Sequence, residues 1–157
     1  DTLEGRVGRI LRDRSLTLAV AESCTGGLIG HRLTQEPGSS NYFVEGAVVY
    51  SNESKISRLK VPSSLIQKYG AVSKEVALAM AEGIREVSGA DVGLSVTGMA
   101  GPGSSENKPA GIVFIAISDK NKSYSEFFRF YDNRTRNKER SAQAALDLLR
   151  RWLLKII

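Results

Sequence analysis

Apolar and polar positions along this chain switch repeatedly between helical and strand spacing. Val7, Ile10 and Leu11 fall on one helical face, which predicts a first helix over roughly Leu3 to Arg12. Leu16 to Ala21 is a short apolar run that reads as a buried strand, and Leu28 to Leu33 reads as the first turns of a helix. Pro37-Gly38-Ser39-Ser40 is a turn, and the β-rich stretch Val44 to Tyr50 is a second strand. Ser51-Asn52 can cap a helix from about Glu53 to Leu59, and Pro62 starts a short helical stretch ending at Gly70. Ser73 caps a longer helix with Val76, Ala77, Met80, Ala81, Ile84 and Val87 inward, and Gly89 stops it. Val92 to Val96 is a third strand, followed by a loop from Thr97 to Pro109. Gly111 to Ser118 and Ser123 to Phe130 are strands joined by the polar turn Asp119-Lys120-Asn121-Lys122. A last helix from about Thr135 buries Ala142, Ala145, Leu146, Leu149, Trp152 and Leu153.

Helices alternating with short apolar strands predict an α/β sandwich with one sheet. The terminal hairpin makes that sheet mixed rather than purely parallel. The 157 residues suit one domain, residues 1–157. Ligands in such folds gather at the carboxyl ends of parallel strands. Three informative segments fall there: Glu22–Gly27, Tyr50–Lys55 and Thr97–Gly103.

Composition narrows the setting. No apolar run approaches the ~18 residues that a membrane span requires. No secretory pattern opens the chain, and the single cysteine excludes an internal disulfide, so a cytoplasmic setting is expected. The chain opens on Asp1 rather than Met, which fits a domain cut from a longer protein as well as a processed chain. The net charge of +5 raises nucleic-acid binding. Its basic residues are dispersed, however, and aromatics do not interleave with them as on a stacking platform. A phosphorylated small molecule is the partner this surface suits better, with no specific nucleic acid and no membrane.

Glu22-Ser23-Cys24-Thr25-Gly26-Gly27 carries the sharpest chemical signal. A hydroxyl placed where a strand turns into a helix stands among backbone N–H groups that lack intrahelical partners. Such a point can bind an anion or flank a nucleophile with an oxyanion hole. Ser23 needs a base. His31, the only histidine, is about two helical turns further on and cannot reach back, which rules out a Ser-His-Asp arrangement. Lys55 and Tyr50 are the alternative: a lysine with a depressed pKa can act as base, and a phenol can share its proton. The same two residues also read as a strand-end tyrosine and a solvated helix lysine. Cys24 is a rival nucleophile or a small buried cysteine. The loop Thr97-Gly98-Met99-Ala100-Gly101-Pro102-Gly103 permits close approach of a ligand but matches neither a Walker loop nor a dinucleotide fingerprint. Ser39 and Ser40 offer hydroxyls, and Arg134 can clamp a phosphate or stand exposed before the last helix. Asp91, Asp119 and Asp132 are scattered, and no metal-ligand spacing occurs.

These blocks, with Tyr50-Ser51-Asn52-Glu53-Ser54-Lys55, Gly70-Ala71-Val72-Ser73, Gly111 and Asn133-Arg134, stand in the order and spacing of one family. Over nearly its whole length the chain resembles the CinA C-terminal domain. That resemblance implies an α/β/α fold and deamidation of nicotinamide mononucleotide (NMN) to nicotinic acid mononucleotide and ammonia, without metal or other cofactor. It implies Ser23 as nucleophile, with Tyr50 and Lys55 as activating partners. Substrate contacts would fall among Glu22, Thr25, Gly26, Gly27, Ser39, Ser40, Thr97, Gly98, Ala100, Gly101 and Arg134. Some family members carry a further N-terminal domain. Two departures bear on the phosphate side: Tyr131 and Asp132 replace a usual glycine, and Lys138 stands where a second arginine is usual. The segment Ser104 to Lys108 carries no expectation. The other reading is a nucleotide-binding regulatory domain without turnover, and self-association is expected in either case.

Overall fold

The computed structural model describes residues 1–103 and 106–157. In chain order its elements are α1 (Leu3–Asp13), β1 (Leu18–Glu22), α2 (Leu28–Thr34), β2 (Phe43–Val48), α3 (Asn52–Leu59), α4 (Ser63–Tyr69), α5 (Lys74–Ser88), β3 (Val92–Gly98), β4 (Ile112–Ser118), β5 (Ser123–Arg129) and α6 (Arg134–Leu153). A 3₁₀ turn at Ser39–Asn41 precedes β2. The strands form one sheet of order β2-β1-β3-β4-β5. β1 runs parallel to both β2 and β3, while β4 and β5 complete the sheet antiparallel. The expected three-layer α/β/α sandwich is the observed one.

The layers follow from what each strand presents. On one face, Leu18, Val20, Leu94, Val96, Val113 and Ile115 form the large core with α1, α2 and α6. On the other face the same strands present Ala19, Ala21, Gly93 and Ser95, with Ala116 of β4. Small side chains there let α5 lie close: Ser95 Oγ donates to Ala77 O at 2.6 Å, and a Cβ on Gly93 would overlap the carbonyl oxygen of Ala81. Gly83, on the opposite side of α5, meets Leu59 O of α3 just as closely. Val87 departs from the inward set expected for this helix: it is 42% exposed and lies beyond Ile84, the last residue that α5 buries.

Helix boundaries have local causes. Thr2, Ser51, Ser73 and Asn133 each accept a backbone N–H three residues on, satisfying a donor that has no helical partner. Gly89 ends α5 in the left-handed region at φ 73°. The connection from β1 to β2 crosses one face of the sheet, and the connection from β2 to β3 crosses the other. The loops leaving β1 and β2 therefore part at the carboxyl end of β1, where the crevice of an open α/β sheet forms.

Gly93→Ala forces α5 away from the sheet. It should lower unfolding free energy by about 2–3 kcal/mol, read as a reduced midpoint in urea with an unchanged slope. A neutral result would show that the α5 layer is loosely seated.

Candidate active site

Ser23 is the first residue past β1, and its backbone N–H donates to Val96 O on β3 at 3.1 Å. Its hydroxyl meets Lys55 Nζ at 3.2 Å. Lys55 comes from the first turns of α3, yet it is only 1% exposed. Its amine also donates to Val49 O and Tyr50 O, each at 3.0 Å. The bend at the end of β2 thus folds two carbonyls over the amine. Burial pulls the Lys55 pKa below its ordinary value, while Cys24 and Glu106 act in the opposite direction.

Three oxygens around one amine suit both protonation states. The ammonium form donates three times. The neutral form donates to the two carbonyls and keeps its lone pair for the Ser23 proton. An uncharged Lys55 is therefore already oriented as a base, and the serine it faces is the group that needs one.

The other expected residues divide. A pocket of about 320 Å³ is lined by Ser23, Tyr50 and Lys55 together with Thr97, Gly98, Ala100, Gly101 and Arg134. Tyr50 stands at its rim, 63% exposed as a residue. It is the Tyr50 carbonyl that holds Lys55, whereas the phenol oxygen accepts from Arg134 Nη2 at 3.4 Å. Arg134 Nη1 donates to Gly101 O at 2.6 Å, so one guanidinium joins two walls of the pocket. Gly98 is glycine for packing reasons, because a Cβ there would meet Ile112 O at 2.7 Å.

Glu22, Thr25, Gly26, Gly27, Ser39 and Ser40 do not border this pocket. The Glu22 carboxylate is buried and accepts from Thr25 Oγ1 and from the N–H groups of Gly27, Ile29 and Gly30, which fixes the start of α2. Gly26 N–H is likewise engaged, with Ser23 O. Thr25, Gly26 and Gly27 line a separate depression with His31 and Lys138. Ser39 and Ser40 precede β2, whose first residue pairs with the first residue of β1. They therefore lie at the amino end of the parallel strands, opposite Ser23.

Cys24 borders the pocket, but burial pushes its thiol up to about 12. At neutral pH it is a thiol rather than a nucleophilic thiolate.

Two groups of residues were not foreseen. Asn137 on α6 is buried and donates to Ala100 O and Asp132 O, each at 3.0 Å, tying the glycine loop to the helix that carries Arg134. Beyond the loop, Glu106 accepts from Ala71 N–H at 3.0 Å and Val72 N–H at 3.1 Å, and Lys108 donates to Tyr69 O at 2.8 Å. Ser104 and Ser105, from the same segment, lie outside the described residues. Asn137 follows Asn133 by one helical turn, a spacing that could have marked it; nothing local marks Glu106. Among the described residues no cluster of three or more His, Cys, Asp or Glu is placed to hold a metal, and no helix is long and apolar enough to cross a membrane.

Residues 1–153 match the family model described as the CinA C-terminal domain. The chain belongs to the CinA C-terminal domain family. A CinA-like protein of Desulfotalea psychrophila is 54% identical over 158 residues, covering 100% of this chain and 38% of the relative. One from Citrifermentans bemidjiense is 50% identical over 155 residues, covering 98% of this chain and 37% of the relative. The chain thus spans less than two fifths of the length of these relatives. Among solved structures, a CinA superfamily protein of Klebsiella pneumoniae superposes with a TM-score of 0.94 at 30% identity, covering 98% of this chain and 96% of that one. The competence/damage inducible protein CihA of Agrobacterium tumefaciens gives 0.88 at 37% identity, over 94% and 93%.

In this CinA domain Glu22→Ala should cost about 3 kcal/mol of stability, since it strands several buried donors. Denaturant titration reads this; an unchanged midpoint would free Glu22 for another role. The raised Cys24 pKa predicts that the native domain resists a thiol reagent at pH 8 and reacts fully once unfolded in urea. Prompt labelling of the native domain would contradict the burial argument.

Proposed function

We propose that this CinA domain hydrolyses the carboxamide of NMN to nicotinic acid mononucleotide and ammonia. The observation that carries this reading is the 3.2 Å contact between Ser23 Oγ and the buried Lys55 amine. Neutral Lys55 takes the Ser23 proton as Oγ attacks the carboxamide carbon. The N–H group of Cys24, which follows Ser23 and borders the pocket, is the candidate oxyanion donor, contributing roughly 3 kcal/mol when well aimed. Collapse of the tetrahedral species breaks the C–N bond, and Lys55 returns the proton to the departing nitrogen, giving ammonia. Water then replaces ammonia: Lys55 takes its proton, the hydroxide adds to the acyl carbon, and Ser23 leaves with the proton restored.

The remaining pocket residues suit binding. Arg134 presents a guanidinium that can take the phosphate. Tyr50 contributes its carbonyl to Lys55 and its exposed ring and hydroxyl to the substrate's path. Thr97 Oγ1 donates to Ala71 O at 3.0 Å, so its part is to hold the pocket wall.

An assay for ammonia release from NMN, run with a chelator present, tests the reading. Ser23→Ala should lower kcat by at least about 1,000-fold. Lys55→Met should do the same while leaving the Kd for NMN within about 3-fold. Because burial depresses the Lys55 pKa and the neutral amine is the active form, kcat/KM should rise with pH to a plateau reached below the range of a solvent-exposed lysine. Near-normal turnover in Ser23→Ala would overturn the proposal. NMN binding without ammonia from the unmodified domain would instead favour a regulatory nucleotide-binding role.

A further inference from the structure

Among the described residues three charged side chains line the Ser23 pocket: Lys55, Arg134 and Glu106. The first two have parts in the reading above; Glu106 has none. Its carboxylate is fixed rather than free to swing. Two backbone donors hold it, those of Ala71 and Val72, and Lys108 Nζ approaches to 3.4 Å. Gly70 packs beside it so closely that a Cβ there would come within 2.5 Å of Glu106 Oε1 and 2.8 Å of Lys108 Nζ. Lys108 does not simply cancel the charge, because its ammonium is also spent on the carbonyls of Tyr69 and Val72. A carboxylate accepts about four hydrogen bonds, so these partners leave Glu106 with capacity toward the pocket. Burial lowers the Lys55 pKa and the negative charge of Glu106 opposes that lowering, in keeping with both groups lining one pocket.

Glu106 belongs to the wall formed by Ala71 and Val72, whereas Arg134 belongs to the wall formed by Tyr50 and Gly101. One pocket thus carries a fixed negative group and a positive group on different walls. A ligand with a cationic ring and an anionic tail meets both in one orientation and meets like charges in the reverse one. We propose that Glu106 is the specificity residue of this pocket, selecting a positively charged heterocycle and directing the anionic tail toward Arg134. The inference rests on the deamidation reading and adds to it which charge on the ring is read, and by what.

The test compares NMN with its uncharged-ring analogue, benzamide riboside 5′-monophosphate, by calorimetry in a Ser23→Ala background that prevents turnover. With Glu106 present, NMN should bind about 10-fold more tightly than the analogue. Glu106→Gln keeps the side-chain volume and should bring the two within about 2-fold, with NMN weakened and the analogue unchanged. Raising salt from about 0.05 to about 0.5 M should narrow the preference only where Glu106 is present. Should Glu106→Gln fail to fold, Lys108→Met removes the partial counter-charge and should widen the preference; a narrowed one there contradicts the proposal. A preference that survives Glu106→Gln, or an equal loss for both ligands, overturns the inference and leaves Glu106 as a support of the Gly70–Ser73 turn. Turnover of NMN by the unmodified domain without any ring preference removes the inference alone. Neither binding nor turnover removes the deamidation reading with it.

Discussion

An amine taken out of water must either find acceptors for all its protons or give one up. Lys55 is placed so that both solutions work: two main-chain carbonyls and one hydroxyl surround it. Much of the local architecture serves that placement. β2 has to end at Val48 and bend so that the carbonyls of Val49 and Tyr50 turn toward α3. Ser51 has to cap α3 so that Lys55 falls one turn inside it. β1 has to lie between β2 and β3 so that Ser23 emerges beside the amine.

The same geometry separates chemistry from support. Glu22 and Ser23 are neighbours in sequence at a strand end, where side chains alternate in direction. Ser23 faces the pocket, while Glu22 turns to the start of α2 and supplies four acceptor contacts to Thr25 and the backbone. A carboxylate beside a nucleophile invites a catalytic reading, but its partners identify it as a cap.

Much of this was legible in the residues. The apolar runs Leu16 to Ala21 and Val92 to Val96 mark both strands, whereas the face on which α5 packs shows only once their large and small residues are seen on opposite sides of the sheet. The βα pattern permits the Ser23–Lys55 encounter, since both residues fall just past parallel strands, but it leaves Lys55 readable also as a solvated lysine; the family resemblance is what implies the pairing. What sequence did not reveal were relations that depend on the third dimension. Tyr50 enters through its carbonyl as well as its phenol, and no residue type records which. Ser39 and Ser40 share the composition of a binding turn, yet α2 carries the chain back to the far end of the sheet before they occur. Glu106 reaches the site through contacts 34 and 35 residues away.

Asn137 gives the arrangement a further consequence. One buried amide fastens the glycine loop after β3 to the helix that bears Arg134, while Ser23 and Lys55 are secured by the strand ends of β1, β2 and β3 and by α3. The Ser23–Lys55 pair and the loop–α6 surface are held by different contacts yet share a single cleft. Substitutions along the loop and the first turn of α6 can therefore reshape one side of the cleft while the Ser23–Lys55 contact stays as it is, so the two halves of the cleft are free to vary separately among descendants of this scaffold.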